Sequence, residues 1–169
     1  MTTWEELLPL AQTVISKASK AGVMIATAES CTGGLISGLL TEVTGSSAVL
    51  DRGFTTYSNE AKQDMLGVPV ETLAAHGAVS APTARAMAEG ALTNSRAQIA
   101  VSVTGIAGPT GGTPDKPVGT VYFGIAVEGH DTSTSREQFG DRTRQEIRLA
   151  TVRNALQLIS NAIDSASKI

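Results

Sequence analysis

One cysteine, two histidines and a thin complement of aromatic side chains, three Phe, two Tyr and one Trp in 169 residues, exclude several classes of protein at once. A lone cysteine cannot form an internal disulfide or a thiolate zinc cluster. With only His76 and His130 as imidazoles, a metal site would have to rest on carboxylates, so neither a metal nor a cofactor is expected. Lysine and arginine number 13 against 16 acidic residues, for a formal charge of −3, and they form no basic run. That balance, with so few aromatics, argues against a nucleic-acid partner. No apolar run approaches the roughly 18 residues that a membrane span needs. The first residues, Met1-Thr2-Thr3-Trp4-Glu5-Glu6, are acidic and amphipathic where a secretory leader would be basic and then apolar. A soluble, cytoplasmic chain with no membrane contact is expected. Its length suits one domain, 1–169, able to bury about two-thirds of the surface its unfolded form exposes.

What is present is periodic. Trp4, Leu7, Leu8, Ala11, Val14, Ile15 and Ala18 recur at spacings of three and four, which predicts an amphipathic helix ending near Ala21-Gly22. A strand follows from Val23 to Ala28, then a helix from Leu35 to Val43 and a second strand within Val49 to Tyr57. Ser58-Asn59-Glu60 would cap a short helix running to Leu66-Gly67 and carrying Lys62 on its first turn. Val68-Pro69 opens another short helix toward His76, and Ser80-Ala81-Pro82 opens an alanine-rich one ending near Asn94. Ala97 to Thr104 reads as a continuous apolar strand. Val118 to Val127 and Thr132 to Phe139 form a hairpin about Glu128-Gly129-His130-Asp131, and Asp141 would cap a terminal helix. This order predicts an α/β fold: a three-layer α/β/α single domain with a mixed sheet of about five strands.

Two junctions break the periodic pattern. An apolar strand runs into Thr27-Ala28-Glu29-Ser30-Cys31-Thr32-Gly33-Gly34 and a helix follows at once; a second strand ends in Thr104-Gly105-Ile106-Ala107-Gly108-Pro109. Glycine-rich turns after strands lie at the carboxyl edge of an open α/β sheet, where backbone amides and the positive end of a helix face one point. Ser30 sits at that point in the first junction. The same octet also reads as a capped helix start whose glycines serve packing. Neither junction matches a phosphate-binding P-loop or the G-x-G-x-x-G dinucleotide pattern, and Ser30 lacks the G-x-S-x-G elbow of a Ser-His-Asp hydrolase. Serine can instead be activated by a lysine that has lost its proton, and Lys62 lies five residues from the phenol of Tyr57, which would relay or hold that proton. The alternative for both is a solvated helix lysine and a half-buried tyrosine. Cys31 reads as a small core residue and Glu29 as a carboxylate bonded to the amides of its own turn. Arg52, Arg142 and Arg144 are candidate phosphate ligands, Arg142 foremost because it would open the terminal helix.

Five blocks in order carry a resemblance that covers nearly the whole chain: Thr27 to Gly34, Arg52 to Lys62, His76 to Ser80, Ser102 to Pro109 and Lys116 to Val121. Together they resemble the CinA C-terminal domain family, in the stand-alone form that lacks the N-terminal domain of larger members. The resemblance implies an amidase that hydrolyses the carboxamide of nicotinamide mononucleotide to nicotinate mononucleotide and ammonia. It implies Ser30 as nucleophile, Lys62 as general base and Tyr57 as third member of the catalytic set, with no cofactor. Substrate contacts are expected from the loop amides of Thr32, Gly33, Gly34 and Gly105 and from the Thr104 and Arg142 side chains, and a homodimer is expected by resemblance. A nucleotide-binding domain without chemistry, and an amidase for another nucleotide amide, are the rival functions.

Overall fold

The computed structural model describes residues 2–166. Helix α1 (Trp4–Ala21) starts at a reciprocal cap: the Thr3 hydroxyl accepts from the Glu6 N–H, and the Glu6 carboxylate accepts from the Thr3 N–H. The chain continues through β1 (Ile25–Glu29), α2 (Leu35–Thr41), a 3₁₀ turn at Ser46–Ala48, β2 (Leu50–Thr55), α3 (Asn59–Leu66), α4 (Val70–His76) and α5 (Ala81–Thr93). It closes with β3 (Ile99–Gly105), β4 (Thr120–Val127), β5 (Ser133–Gln138) and α6 (Arg144–Ala166). The five strands form one mixed sheet in the order β2-β1-β3-β4-β5, with β1 parallel to both β2 and β3 and the last three strands antiparallel.

Strand alternation sorts the core into two layers. Ile25 on β1, Ile99, Val101 and Val103 on β3, and Val121 and Phe123 on β4 face α1, α2 and α6. Ala26, Ala28 and Ala100 face the other way, toward α5, with α3 packed beside it. The second face is built of small side chains because α5 lies close to the sheet: Ser102 Oγ donates to Ala84 O on α5 at 2.5 Å, and a side chain at Gly124 would press on that same carbonyl. The expected three-layer α/β/α arrangement is therefore the observed one, with six α-helices among the described residues.

Several ends shift by one or two residues, and the cap of the last helix differs from the expected one. Helix α6 is capped by Thr143, whose hydroxyl accepts from the Glu146 N–H at 3.3 Å while the Glu146 carboxylate accepts from the Thr143 N–H at 2.8 Å. Asp141 lies outside the helix. Thr143-Arg144-Gln145-Glu146 is the T-x-x-E capping pattern, which outcompetes a lone Asp because two backbone groups are satisfied reciprocally.

Because β2 and β3 flank β1 on opposite sides, the connections leaving β1 and β2 diverge, and the carboxyl end of β1 opens into a crevice. Helix α3 borders that crevice and is seated on α5 through Gly90, where a Cβ would overlap the Leu66 carbonyl oxygen. Alanine is the better helix former by about 1 kcal/mol, yet Gly90→Ala should lower stability by about 1–3 kcal/mol because backbone must move to admit the methyl. Thermal unfolding of the variant measures this; an unchanged or raised melting temperature would contradict the close approach.

Candidate active site

Ser30 is the residue immediately after β1, and its N–H donates to Val103 O on β3 at 3.0 Å, so its main chain is anchored to the sheet centre. The next four residues close a tight turn in which the Gly33 N–H donates to Ser30 O at 3.1 Å. Alternation along β1 places Glu29 on the α2 side with Ile25, and its side chain is 1% exposed. The carboxylate accepts from the Thr32 hydroxyl at 2.6 Å and from the amides of Gly34, Ile36 and Ser37 at 3.1, 3.0 and 2.9 Å. The positive end of α2 is thus already met by an anion from the chain itself. The Thr32 hydroxyl and the amides of Gly33 and Gly34 are engaged inside the turn, and none of the three residues lines the cavity beside Ser30; of these loop amides expected to meet a substrate, only that of Thr32 has no carbonyl or carboxylate acceptor among the described residues. Glu29 acts as the sequence suggested, bonded to its own turn.

Lys62, on the first turn of α3, is 1% exposed and directs its amine to Ser30 Oγ at 3.1 Å. Three carbonyls surround the same nitrogen: Thr56 O at 2.9 Å, Tyr57 O at 3.3 Å and Ser58 O at 3.5 Å. No carboxylate is paired with it among the described residues. Burial pushes the Lys62 ammonium below the ordinary lysine range, because the charged form is the one that loses hydration. A neutral amine has two N–H bonds and one lone pair. Lys62 Nζ donates to Ser30 Oγ here; in the neutral form, with two N–H bonds on the nearest carbonyls, its lone pair could face the Ser30 hydroxyl instead. Thr56 ties the pair together, since its N–H donates to Glu29 O at 2.9 Å while its own carbonyl holds the lysine.

A cavity of about 190 Å³ opens over this pair, bounded by Ser30, Cys31, Tyr57, Lys62, Thr104 and Arg144, with Asn59, Ala78, Val79, Gly105 and Ala107 completing its wall. The Cys31 thiol is buried, and burial pushes it up to about 12, so beside a serine–lysine pair it is the inert neighbour. Thr104 is buried and its hydroxyl donates to Ala78 O at 2.7 Å, holding the loop after α4 against the site. Tyr57 is 63% exposed. Its phenol oxygen accepts from Arg144 Nη2 at 3.1 Å, and its main-chain carbonyl, not its phenol, touches Lys62, so a proton relay through the phenol is not the arrangement present. Arg144 also donates to Gly108 O at 2.8 Å, spanning the mouth between the loops after β2 and β3.

Of the residues expected at the site, the fold therefore gathers Ser30, Tyr57, Lys62, Thr104 and Gly105. Arg142 lies elsewhere, over the ring of Phe139 at 5.9 Å and beside a different groove. Arg144 takes the place at the mouth that Arg142 was expected to fill. The Thr143 cap makes Arg144 the first residue of α6, and reading that cap from the sequence would have favoured it. Asn59, Ala78 and Val79 carried no chemical signal of their own.

The chain is similar to proteins already known. The CinA C-terminal domain model matches residues 7–163. The nicotinamide-nucleotide amidohydrolase PncC of Escherichia coli (strain K12) is 52% identical over 141 residues, covering 83% of this chain and 86% of that relative. A CinA-like protein of Anaeromyxobacter sp. (strain K) is 49% identical over 154 residues, 91% of this chain and 37% of its own length. The chain spans about a third of the length of such longer curated relatives. The crystal structure of competence/damage inducible protein CihA from Agrobacterium tumefaciens is 54% identical, with a TM-score of 0.90 over 94% of this chain and 95% of that one. The chain belongs to the CinA C-terminal domain family.

Proposed function

We infer that the protein is a nicotinamide-nucleotide amidohydrolase, converting nicotinamide mononucleotide to nicotinate mononucleotide and ammonia in pyridine-nucleotide recycling. The observation that carries this reading is the buried contact between Ser30 Oγ and Lys62 Nζ at 3.1 Å, in a chain 52% identical to a relative of that name. Ser30 attacks the carboxamide carbon while Lys62 takes the hydroxyl proton. The tetrahedral intermediate collapses as the lysine ammonium returns that proton to the amide nitrogen, and ammonia leaves. Water, activated by the same neutral amine, then hydrolyses the Ser30 ester to release the carboxylate.

The developing oxyanion needs donors, and the amides of Gly33 and Gly34 are already bonded. Those of Cys31 and Thr32, next to the nucleophile, have no carbonyl or carboxylate acceptor among the described residues, and they supply the donors here. A cavity of about 190 Å³ is smaller than the roughly 300 Å³ lower bound for enclosing a drug-sized ligand. The carboxamide ring therefore enters it and the ribose phosphate lies across the mouth, against Arg144 and the Tyr57 phenol. No helix among the described residues is long and apolar enough to cross a membrane; a cytoplasmic homodimer is the form the family reading carries, and sedimentation equilibrium tests the dimer.

Ammonia release from nicotinamide mononucleotide by the purified chain is the direct test, and no release would remove the amidase assignment. Ser30→Ala should lower turnover by about three or more powers of ten with little change in ligand affinity. Retention of more than about a tenth of the activity would point to direct attack by water.

Lys62→Arg keeps a cation but loses the base, because guanidinium does not deprotonate, so it should be as damaging as Lys62→Met. Wild-type kcat should rise with pH through one ionisation lying below the ordinary lysine range and absent from the residual rate of Lys62→Met. Stability carries the same sign. Between the lowered value and about 10.4 the unfolded chain binds more protons than the folded one at this position, so folding becomes more favourable as pH rises across that window. The melting temperature of the wild type should therefore gain on that of Lys62→Met as pH is raised from neutrality. A gap independent of pH would mean that Lys62 is not desolvated as its position requires.

Arg144→Ala should raise KM for nicotinamide mononucleotide about tenfold or more and leave KM for the phosphate-free riboside nearly unchanged. Equal effects on the two substrates would take the phosphate away from Arg144.

A further inference from the structure

Two side chains of opposite charge bracket the turn after Ser30, and neither lines the cavity. On the N–H side stands the Glu29 carboxylate, holding the Thr32 hydroxyl and the amides of Gly34, Ile36 and Ser37. On the C=O side stands Arg148, which reaches back from α6 across the sequence. Its Nε donates to Cys31 O at 3.1 Å and its Nη2 to Thr32 O at 3.0 Å. Arg148 is half-buried and forms no ion pair among the described residues; its guanidinium is turned to these two carbonyls. A surface arginine with that freedom would stay in water; this one is committed to the main chain of the residues that follow the nucleophile.

The consequence lies in the peptide units. Cys31 C=O and Thr32 N–H belong to one amide group, and a guanidinium on the oxygen both fixes that group's orientation and makes its N–H the stronger donor. Glu29 closes the other end by pinning the donors that follow. Between the two anchors Ser30 has little room to turn, while its N–H is held by Val103 O. Resting on the amidase reading, we propose that Glu29 and Arg148 are positioning residues: a clamp of opposite charges that keeps Ser30 Oγ at proton-transfer distance from Lys62 and aims the Cys31–Thr32 amide at the oxyanion. Arginine is needed on one side because only a planar fork spans two consecutive carbonyls.

A purely architectural pair would affect the amount of folded protein and leave the turnover of each folded molecule intact. The full chain is therefore compared as wild type, Arg148→Lys, Arg148→Ala and Glu29→Gln, below the melting temperature of each. Arg153→Lys, at an exposed arginine further along α6, serves as control. Two readouts are taken: kcat and KM for nicotinamide mononucleotide, and the rate at which a fluorophosphonate labels Ser30, mapped by mass spectrometry. The second requires no amide substrate. Arg148→Lys and Arg148→Ala should lose about a hundredfold in kcat with KM held within about threefold, and labelling should slow in parallel, since displacement near the reacting atoms costs rate and not binding. Added guanidinium ion should restore part of the loss in Arg148→Ala and none in Arg148→Lys, where the ammonium fills the space. Unchanged kcat and labelling in both Arg148 variants would overturn the clamp, as would a loss confined to KM. If Glu29→Gln does not fold, the Arg148 pair and its rescue decide the matter. A wild type that is labelled at Ser30 but releases no ammonia would overturn the substrate assignment while the labelling rates still judge the clamp. A wild type unlabelled at Ser30 would overturn both.

Discussion

Everything at this site depends on keeping one lysine amine dry. An ammonium taken out of water without a counter-charge is expensive, and the equilibrium answers by shedding the proton. Lys62 meets that condition: it is buried at the base of α3, faces three main-chain carbonyls and a serine hydroxyl, and has no carboxylate partner among the described residues. A carboxylate placed nearby would have stabilised the charged form. The packing around α3 enforces the dryness. Gly90 lets α5 and the end of α3 approach to backbone contact, and the alanines of β1 and β3 let α5 approach the sheet.

The same economy of space governs the turn at Ser30. In many α/β proteins the helix that follows the first strand offers its N-terminal amides to a ligand anion. Here Glu29 occupies that position from within, one residue before Ser30, so the positive helix end serves to build the turn. The positive charge at the mouth comes from another element, the start of α6, where Arg144 bridges Gly108 and Tyr57. Helix α6 thus supplies two arginines with different tasks one turn apart, Arg144 toward solvent at the mouth and Arg148 against the carbonyls of the turn. The site is assembled from the ends of three parallel strands and the starts of two helices, α3 and α6, which is why residues as far apart as Cys31 and Arg148 meet around the same turn.

Much of this was legible in the amino-acid sequence because it is local. Spacings of three and four located α1 and α6, apolar runs ending in glycine located β1 and β3, and the turn at Glu128 to Asp131 paired β4 with β5. The Ser30 junction stood out for the same reason: a strand, small polar residues, glycines and a helix in succession announce a turn at a sheet edge. The sequence could also name Lys62 and Tyr57 as chemistry-bearing residues near a cap. It could not tell a buried lysine from a solvated one, since burial is a property of what α5 and β2 place around that position.

Tertiary structure alone decided which groups meet. Whether the Gly34 amide faced a ligand or its own chain depended on the direction of Glu29, which follows from its parity on β1 and from α2 lying on that face. Whether Arg142 or Arg144 reached the mouth depended on a helix start shifted to the Thr143 cap: Arg144 became the first helical residue, aimed across the crevice, and Arg142 was left over Phe139. The Tyr57 phenol was drawn to Arg144 and away from Lys62 by the same placement. Sequence determined the elements and the residue types at the strand ends, because hydrogen bonding and hydrophobic period act over a few residues. The pairing of Ser30 with Lys62, and of their turn with Arg148, had to wait for the sheet and its two helical layers, because distances between residues 32 and 117 apart are set only when the core closes.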